Sequence, residues 1–300
     1  MFGLMGVARM SGRSGGAVAF PQSLFTGGRK GLIYEPWDFA SMFQDSAGTT
    51  PVTVGDPVGR ILDKSQGMSI GPELVSNGDF SAGTTGWTSN NASIAVSSGQ
   101  LTATVTTGTF FTVTTDITTV AGRTYVFTVT LVSKTTTSPS AYIRVSLDAN
   151  EGVQGFNAPA TYVCYMVAGV TGTTTLQIKG TSLDTSGDTW TIDNFSAKEI
   201  AGNHATQATA AARPVVSAPS YINYDGIDDL LATTFPNLGS ACTIARAVPG
   251  VGASILTGQT IGAGVRNDST NHAGLVIIDR ALTAGETAAL TAYLNGKAGV

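Results

Sequence analysis

Asp225, Asp228 and Asp229 bring three carboxylates into one short stretch of the chain. Paired acids at close range are the equipment of glycoside cleavage, one protonated to give up a proton and one ionised to attack or to activate water. Gly226 and Ile227 between them fit a tight turn at a strand end, and the turn is the expected role. His204 and His272 are the only imidazoles, and neither stands in a ligand or triad motif. Cys164 and Cys242 spell no CxxC or metal-ligand spacing and sit in apolar, strand-like runs, which reads as buried free thiols, with a disulfide as the alternative. Gly258-Gln259-Thr260-Ile261-Gly262-Ala263-Gly264 lacks the lysine of a phosphate loop and reads as a hairpin or packing turn. No catalytic constellation emerges, and the chain is expected not to be an enzyme.

Composition narrows the class further. The 300 residues are 42% hydrophobic, enough for ordinary cores, and only 12% charged, about half of the roughly 25% usual in soluble proteins. A net charge of −4 speaks against nucleic acid as a partner, because replacing counterions on phosphates needs many Lys and Arg. The positive charge is uneven: Arg9, Arg13, Arg29 and Lys30 all precede the first acid, Glu35. Such a basic arm suits docking onto a larger particle, or it is a solvated tail. No run reaches the roughly 18 apolar residues that cross a membrane. Arg9 and Arg13 interrupt the apolar start, so a secretory leader is not expected.

The elements that would position any site divide the chain into stretches. Residues 1–24 lack a sustained period and read as an arm. Residues 25–70 mix short apolar runs with turns, and Asp38 could cap a helical turn over 39–43. Residues 71–200 alternate apolar with Thr or Ser in strands expected near 93–96, 101–105, 125–131, 141–147, 162–167, 174–178 and 189–195. About seven such strands separated by turn clusters imply an antiparallel sandwich. Residues 201–300 return to mixed character, with strands expected near 221–224, 255–256 and 273–278. They end in a helix over 284–298: Thr283 and Glu286 form a capping box, Leu290, Tyr293, Leu294 and Ala298 share a face, and Gly299 stops it.

Leu74-Val75-Ser76-Asn77-Gly78-Asp79-Phe80, Trp87 and the closing Ile192-Asp193-Asn194-Phe195 resemble the galactose-binding-like jelly rolls of carbohydrate-binding modules. The flanking pieces resemble phage virion proteins, fibres and head spikes included. They are Tyr34-Glu35-Pro36-Trp37-Asp38, Leu62-Asp63-Lys64-Ser65, Gly202-Asn203-His204-Ala205-Thr206-Gln207-Ala208, Tyr224-Asp225-Gly226-Ile227-Asp228-Asp229 and Ile278-Asp279-Arg280-Ala281-Leu282-Thr283-Ala284-Gly285-Glu286. The expected fold class is all-β: a jelly-roll β-sandwich inserted in a discontinuous, reduced β-rich host domain with a C-terminal helix. Only about 45 residues separate Asp229 from Leu275, too few for a complete lectin-like sandwich.

These resemblances imply a site. Sugar-binding jelly rolls stack pyranose C–H bonds on aromatic rings and grip hydroxyls with amides. Tyr142, Tyr165, Phe110 and Phe111 are the candidate platforms, with Gln154 and Asn157 as polar partners. Trp87 and Trp190 also qualify but are expected in the core. Adjacent strand residues point to opposite faces, so one of Phe110 and Phe111 must leave the core. The resembled modules carry a structural calcium, for which Asp79 and Asp193 would supply oxygens; no other cofactor is expected. The implied role is a bacteriophage virion structural protein on the particle surface, a head spike or fibre attaching to host glycans. It would partner capsid or tail proteins through the arm that carries Arg9, Arg13, Arg29 and Lys30, and would form a homo-oligomer, a trimer favoured. A passive capsid decoration or cement protein and a tail-fibre adhesin are the alternatives.

Overall fold

Alternation of apolar residues with threonine builds two facing sheets between Ile70 and Ile200. The computed structural model describes residues 19–107, 110–148, 150–151 and 155–300. One sheet runs in the order Asn150–Glu151, Arg144–Leu147, Gly172–Lys179, Thr112–Thr119, Thr88–Asn90. The other runs Ala160–Val167, Thr124–Thr135, Thr189–Ile200, Gln100–Val105, Ala92–Ser97, with Ile70–Glu73 pairing the far end of Thr189–Ile200. All these pairings are antiparallel, as expected where one face of each sheet is solvated. Leu101, Val113, Phe127, Val129, Leu176, Ile178 and Ile192 point between the sheets and are buried. Each such side chain stabilises the fold by about 1.5–3 kcal/mol.

The strand Thr112–Thr119 escapes sequence reading because two of its inward positions are Thr115 and Thr119, both buried. The inward hydroxyl of Thr119 is satisfied by Thr174 at 2.5 Å, so a polar residue sits in the core without an orphaned group.

Residues from both ends of the chain build a second body. A four-stranded sheet runs Gly31–Tyr34, Gly274–Ile278, Gly239–Val248, Gly252–Ile261. A five-stranded sheet runs Met42–Phe43, Arg60–Ile61, Ala205–Thr206, Leu231–Phe235, Gly264–Asp268. Gly31 registers with Ile278, and Arg60 with Thr206. Alternation along the four-stranded sheet splits its side chains between two cores. Leu32, Tyr34, Ile244, Leu275 and Ile277 meet the five-stranded sheet. Ile33, Ala245, Ala247, Val276 and Ile278 meet Leu290, Leu294 and Ala298 of the helix. The helix spans Ala284–Ala298, with the Thr283/Glu286 capping box formed and Gly299 in the left-handed conformation that ends it.

The stretch from Asp229 to Leu275 holds the strands Leu231–Phe235, Gly239–Val248, Gly252–Ile261 and Gly264–Asp268, a reduced β structure. Two details need correction. Of the two readings of Gly258–Gly264 the hairpin falls and the packing turn stays: Gly252–Ile261 belongs to one sheet and Gly264–Asp268 to the other, so the turn carries the chain across the layers. Asp38 precedes a short 3-10 turn, Phe39–Ser41, without capping it through its side chain. Its carboxylate instead binds the Lys64 ammonium at 2.7 Å, which also meets Glu35 at 2.5 Å.

Candidate functional site

The motif that opens the sandwich is structural. Asn77 donates through Nδ2 to the carbonyls of Gly83 and Thr85 and accepts from the Ala82 amide, pinning the 81–87 loop. Trp87 Nε1 donates to the Asn77 carbonyl, and its ring lies 5.3 Å from Phe80 and 5.5 Å from Phe195. A Cβ on Gly78 would fall 1.8 Å from the Phe195 carbonyl oxygen, so only glycine allows the two framing motifs to cross. Trp190 is also in the core, 1% exposed, its Nε1 donating to Asp184.

Asp79 and Asp193 flank that crossing, where the Phe195 amide donates to the Gly78 carbonyl at 2.8 Å. Asp79 Oδ1 accepts from the Ser81 amide and hydroxyl, and Asp193 Oδ1 accepts from the Asn194 amide. Hydrogen bonds from Ser81 lower the Asp79 pKa, keeping it ionised. Carboxylate oxygens are donors of the kind a calcium ion takes.

Of the two sandwich faces, the outward side of the five-stranded sheet carries the varied chemistry. Ala141 and Ile143 are fully buried, so Tyr142 between them faces out, half-buried, with Gly155 against its ring. Phe111 is buried in the core and Phe110 is 47% exposed. Lys179 Nζ lies 5.5 Å from the centre of the Phe110 ring. Register then sets one row Arg144, Lys179, Thr112, Asn90 and the next Ser146, Gln177, Thr114, Thr88. Asp116 follows, accepting from the Thr175 hydroxyl at 3.1 Å. Aromatic rings, two cations, an amide and hydroxyls thus share one surface. The opposite sheet presents threonines such as Thr102, Thr128, Thr130 and Thr191, with Gln100, Asp193 and Lys198 among them.

The expected platforms therefore separate. Tyr142 and Phe110 fall on this face, and the Ile143–Phe156 bridge brings the exposed Asn157 beside Tyr142. Phe111 is a core residue and is withdrawn as a binding group. Tyr165 is withdrawn too, because it belongs to the joint with the second body. Its amide donates to the Ala47 carbonyl at 2.6 Å, its ring packs 5.4 Å from Phe43, and the Arg60 guanidinium stands 5.8 Å from its centre. Gln154 lies outside the described residues, as do Arg9 and Arg13. Arg29 and Lys30 are not on a free arm: the Lys30 backbone exchanges hydrogen bonds with Asp279 as it enters the strand Gly31–Tyr34. Arg144, Gln177 and Lys179 were missed, although their outward position follows from alternation with Val145 and Ile178.

The acidic cluster is turn chemistry. Asp225 Oδ1 accepts the amides of Ile227, Asp228 and Asp229, and Asp229 Oδ2 accepts the Asp225 amide. The three carboxylates offer oxygens within 4.8 Å of one another on an exposed loop. Both cysteines are free and buried, and burial pushes the Cys164 thiol up to about 12. His204 is buried at the point where the chain returns from the sandwich. His272 Nε2 lies 2.9 Å from Asp268 in the second body.

No protein-family model and no curated protein matches the sequence. Solved structures with partial likeness include the "Bacteriophage CBA120 tailspike protein 4 enzymatically active domain". It is 17% identical at TM-score 0.31, over 43% of this chain and 21% of that one. A structure described as "CBM4 structure and function" is 13% identical at TM-score 0.31, over 42% of this chain and 99% of that one. "Family 16 Carbohydrate Binding Module-2" is 16% identical at TM-score 0.30, over 41% of this chain and 98% of that one. This chain spans only about a fifth of the tailspike domain, and each likeness is confined to less than half of this chain.

Proposed function

We propose that the chain is a glycan-binding display protein of a phage particle surface, a binding protein rather than an enzyme. In this reading the sandwich of residues 71–200 is a module inserted into a host body made from 25–70 and 201–300. The observation that carries the glycan reading is the outward row of the five-stranded sheet. Phe110 and Tyr142 offer rings for sugar C–H faces, while Arg144, Lys179 and Gln177 stand in the two adjoining rows of the same face to meet hydroxyls. The virion role rests on the resemblance of the flanking segments, and the part of the arm that carries Arg9 and Arg13 would anchor the chain to capsid or tail proteins; Phe20 and Leu24, expected in that arm, instead pack against the C-terminal helix.

A shallow open face holds a sugar weakly, at about millimolar affinity or roughly −4 kcal/mol. Several copies on one particle, a trimer favoured, raise that to useful avidity. Asp79 and Asp193 would hold a structural calcium that ties the ends of the module. A glycan array probed with the full chain tests the reading. Binding that disappears in the Phe110→Ala, Tyr142→Ala double variant supports it. Absence of binding to any polysaccharide favours a passive decoration or cement protein instead.

A further inference from the structure

A cleft of about 390 Å³ lies where the sandwich meets the second body. The turn Ala121–Arg123 forms one wall; residues 28–31, Gln66, residues 201–203 and 234–236 form the rest. Arg29, Lys30 and Arg123 line it, three of the sixteen basic residues of a chain whose net charge is −4, and no acidic residue does. Three acids neighbour the lining without lining the cleft: Glu199 pairs with Arg123 at 3.0 Å, Asp279 lies 4.0 Å from Arg29, and Asp63 accepts the Asn203 amide. The Lys30 backbone is fixed by Asp279 on both its N–H and its C=O, while its ammonium makes no ion pair among the described residues. Gln66 and Asn203 use their amide N–H groups on the carbonyls of Arg29 and Gly31, which leaves their side-chain carbonyls able to accept from hydroxyls.

We infer that this cleft is a second glycan site, selective for an acidic saccharide whose carboxylate or phosphate is held by Lys30, Arg29 and Arg123. Gln66, Asn203 and Thr234 receive the adjoining hydroxyls. A concave seat between two bodies, lined by cations from both, is where a charged ligand is best enclosed. The inference deepens the glycan-binding reading but uses a surface separate from the sheet face, so the two can fail independently.

The test is calorimetric titration of the full chain with hexagalacturonate, its methyl ester and inorganic phosphate. Hexagalacturonate should bind, its methyl ester should not, and binding should weaken as salt rises. Lys30→Glu should weaken hexagalacturonate about tenfold or more, the loss of one charge-assisted contact, while Lys30→Arg retains it. Neutral-glycan binding by the sheet face should be the same in Lys30→Glu as in wild type, so that loss of the cleft and loss of the face read separately. Equal affinity for the methyl ester, or hexagalacturonate affinity unaffected by Lys30→Glu and by Arg123→Ala, would overturn the proposal. Phosphate binding with the same variant sensitivity but no saccharide binding would overturn the assignment of a glycan.

Discussion

His204 accepts the backbone N–H of Asp63 through Nδ1 at 2.8 Å, joining positions 141 residues apart in the chain. An acceptor at Nδ1 places the ring proton on Nε2, which donates to the Ile200 carbonyl at 3.2 Å. Asp63 in turn gathers the amides of Ile33, Ser65 and Asn203 and the Ser65 hydroxyl. The point where the chain leaves for the sandwich and the point where it returns are thus one hydrogen-bonded unit. His204→Ala should orphan the Asp63 amide and cost about 1–3 kcal/mol in urea unfolding. A change within about 0.5 kcal/mol would mean that the unit carries no weight.

The acid response should have two stages. Burial drives His204 down to about 4 from 6.5, so its contribution is present above pH 6.5 and is lost as pH falls through 4. Burial also pushes Asp63 up to about 6 from 3.8, and that penalty on the ionised form is relieved over nearly the same window. The two shifts oppose each other, so this pair should give little net slope between pH 6 and 4. Burial works to raise Asp268 as well, but His272, Arg246 and Tyr224 outweigh it and hold it near 2. Its stabilisation, present above its ordinary 3.8, should be lost as pH falls toward 2. Chemical denaturation at pH 5, 4 and 3 should show stability falling most between 4 and 3, and Asp268→Asn should make that fall shallower, leaving the share of Glu286, which Arg280 and Thr283 also hold near 2.

Gly48 tests the joint between the two bodies. Its φ is +71°, and a Cβ there would sit 2.5 Å from the Tyr165 ring. Gly48→Ala should therefore push Tyr165 off Phe43 and Arg60 without entering either core. Faster proteolysis between the two bodies, with far-UV dichroism preserved, is the expected outcome. Unchanged proteolysis would show that the joint tolerates the shift.

Calcium should raise the melting temperature, and a chelator should lower it, if Asp79 and Asp193 hold the ion. The Asp79→Ala, Asp193→Ala variant should lose the response. A response that survives in this variant would move the ion elsewhere, and the exposed Asp225 loop would be the next place to test.

How much could be read from residues alone varies with the range of the contacts. The helix was legible because its signals are local: Thr283, Glu286 and Gly299 act within one turn of its ends. Most sandwich strands were legible through alternation, and Thr112–Thr119 was not, because threonine occupies both of its faces. In the second body the strand Gly239–Val248 is buried on both sides through Cys242, Thr243, Ile244 and Ala245, which erases the period-two signal. Arg60–Ile61 is too short to show any pattern and is a strand because Met42–Phe43 and the returning Ala205–Thr206 pair with it on either side. The same distinction divides the candidate site. The split of Phe110 from Phe111 follows from adjacency. The placement of Tyr165 in the joint depends on Arg60 and Gly48, which are remote in the chain.

Hydrogen–deuterium exchange of the full chain, with and without a bound oligosaccharide, tests the glycan-binding face most directly. Added protection should fall on 110–118, 142–147 and 173–179, the strands whose outward side carries Phe110, Tyr142, Arg144, Gln177 and Lys179. Protection confined to the opposite sheet, or to the second body away from both the face and the cleft, would contradict the account.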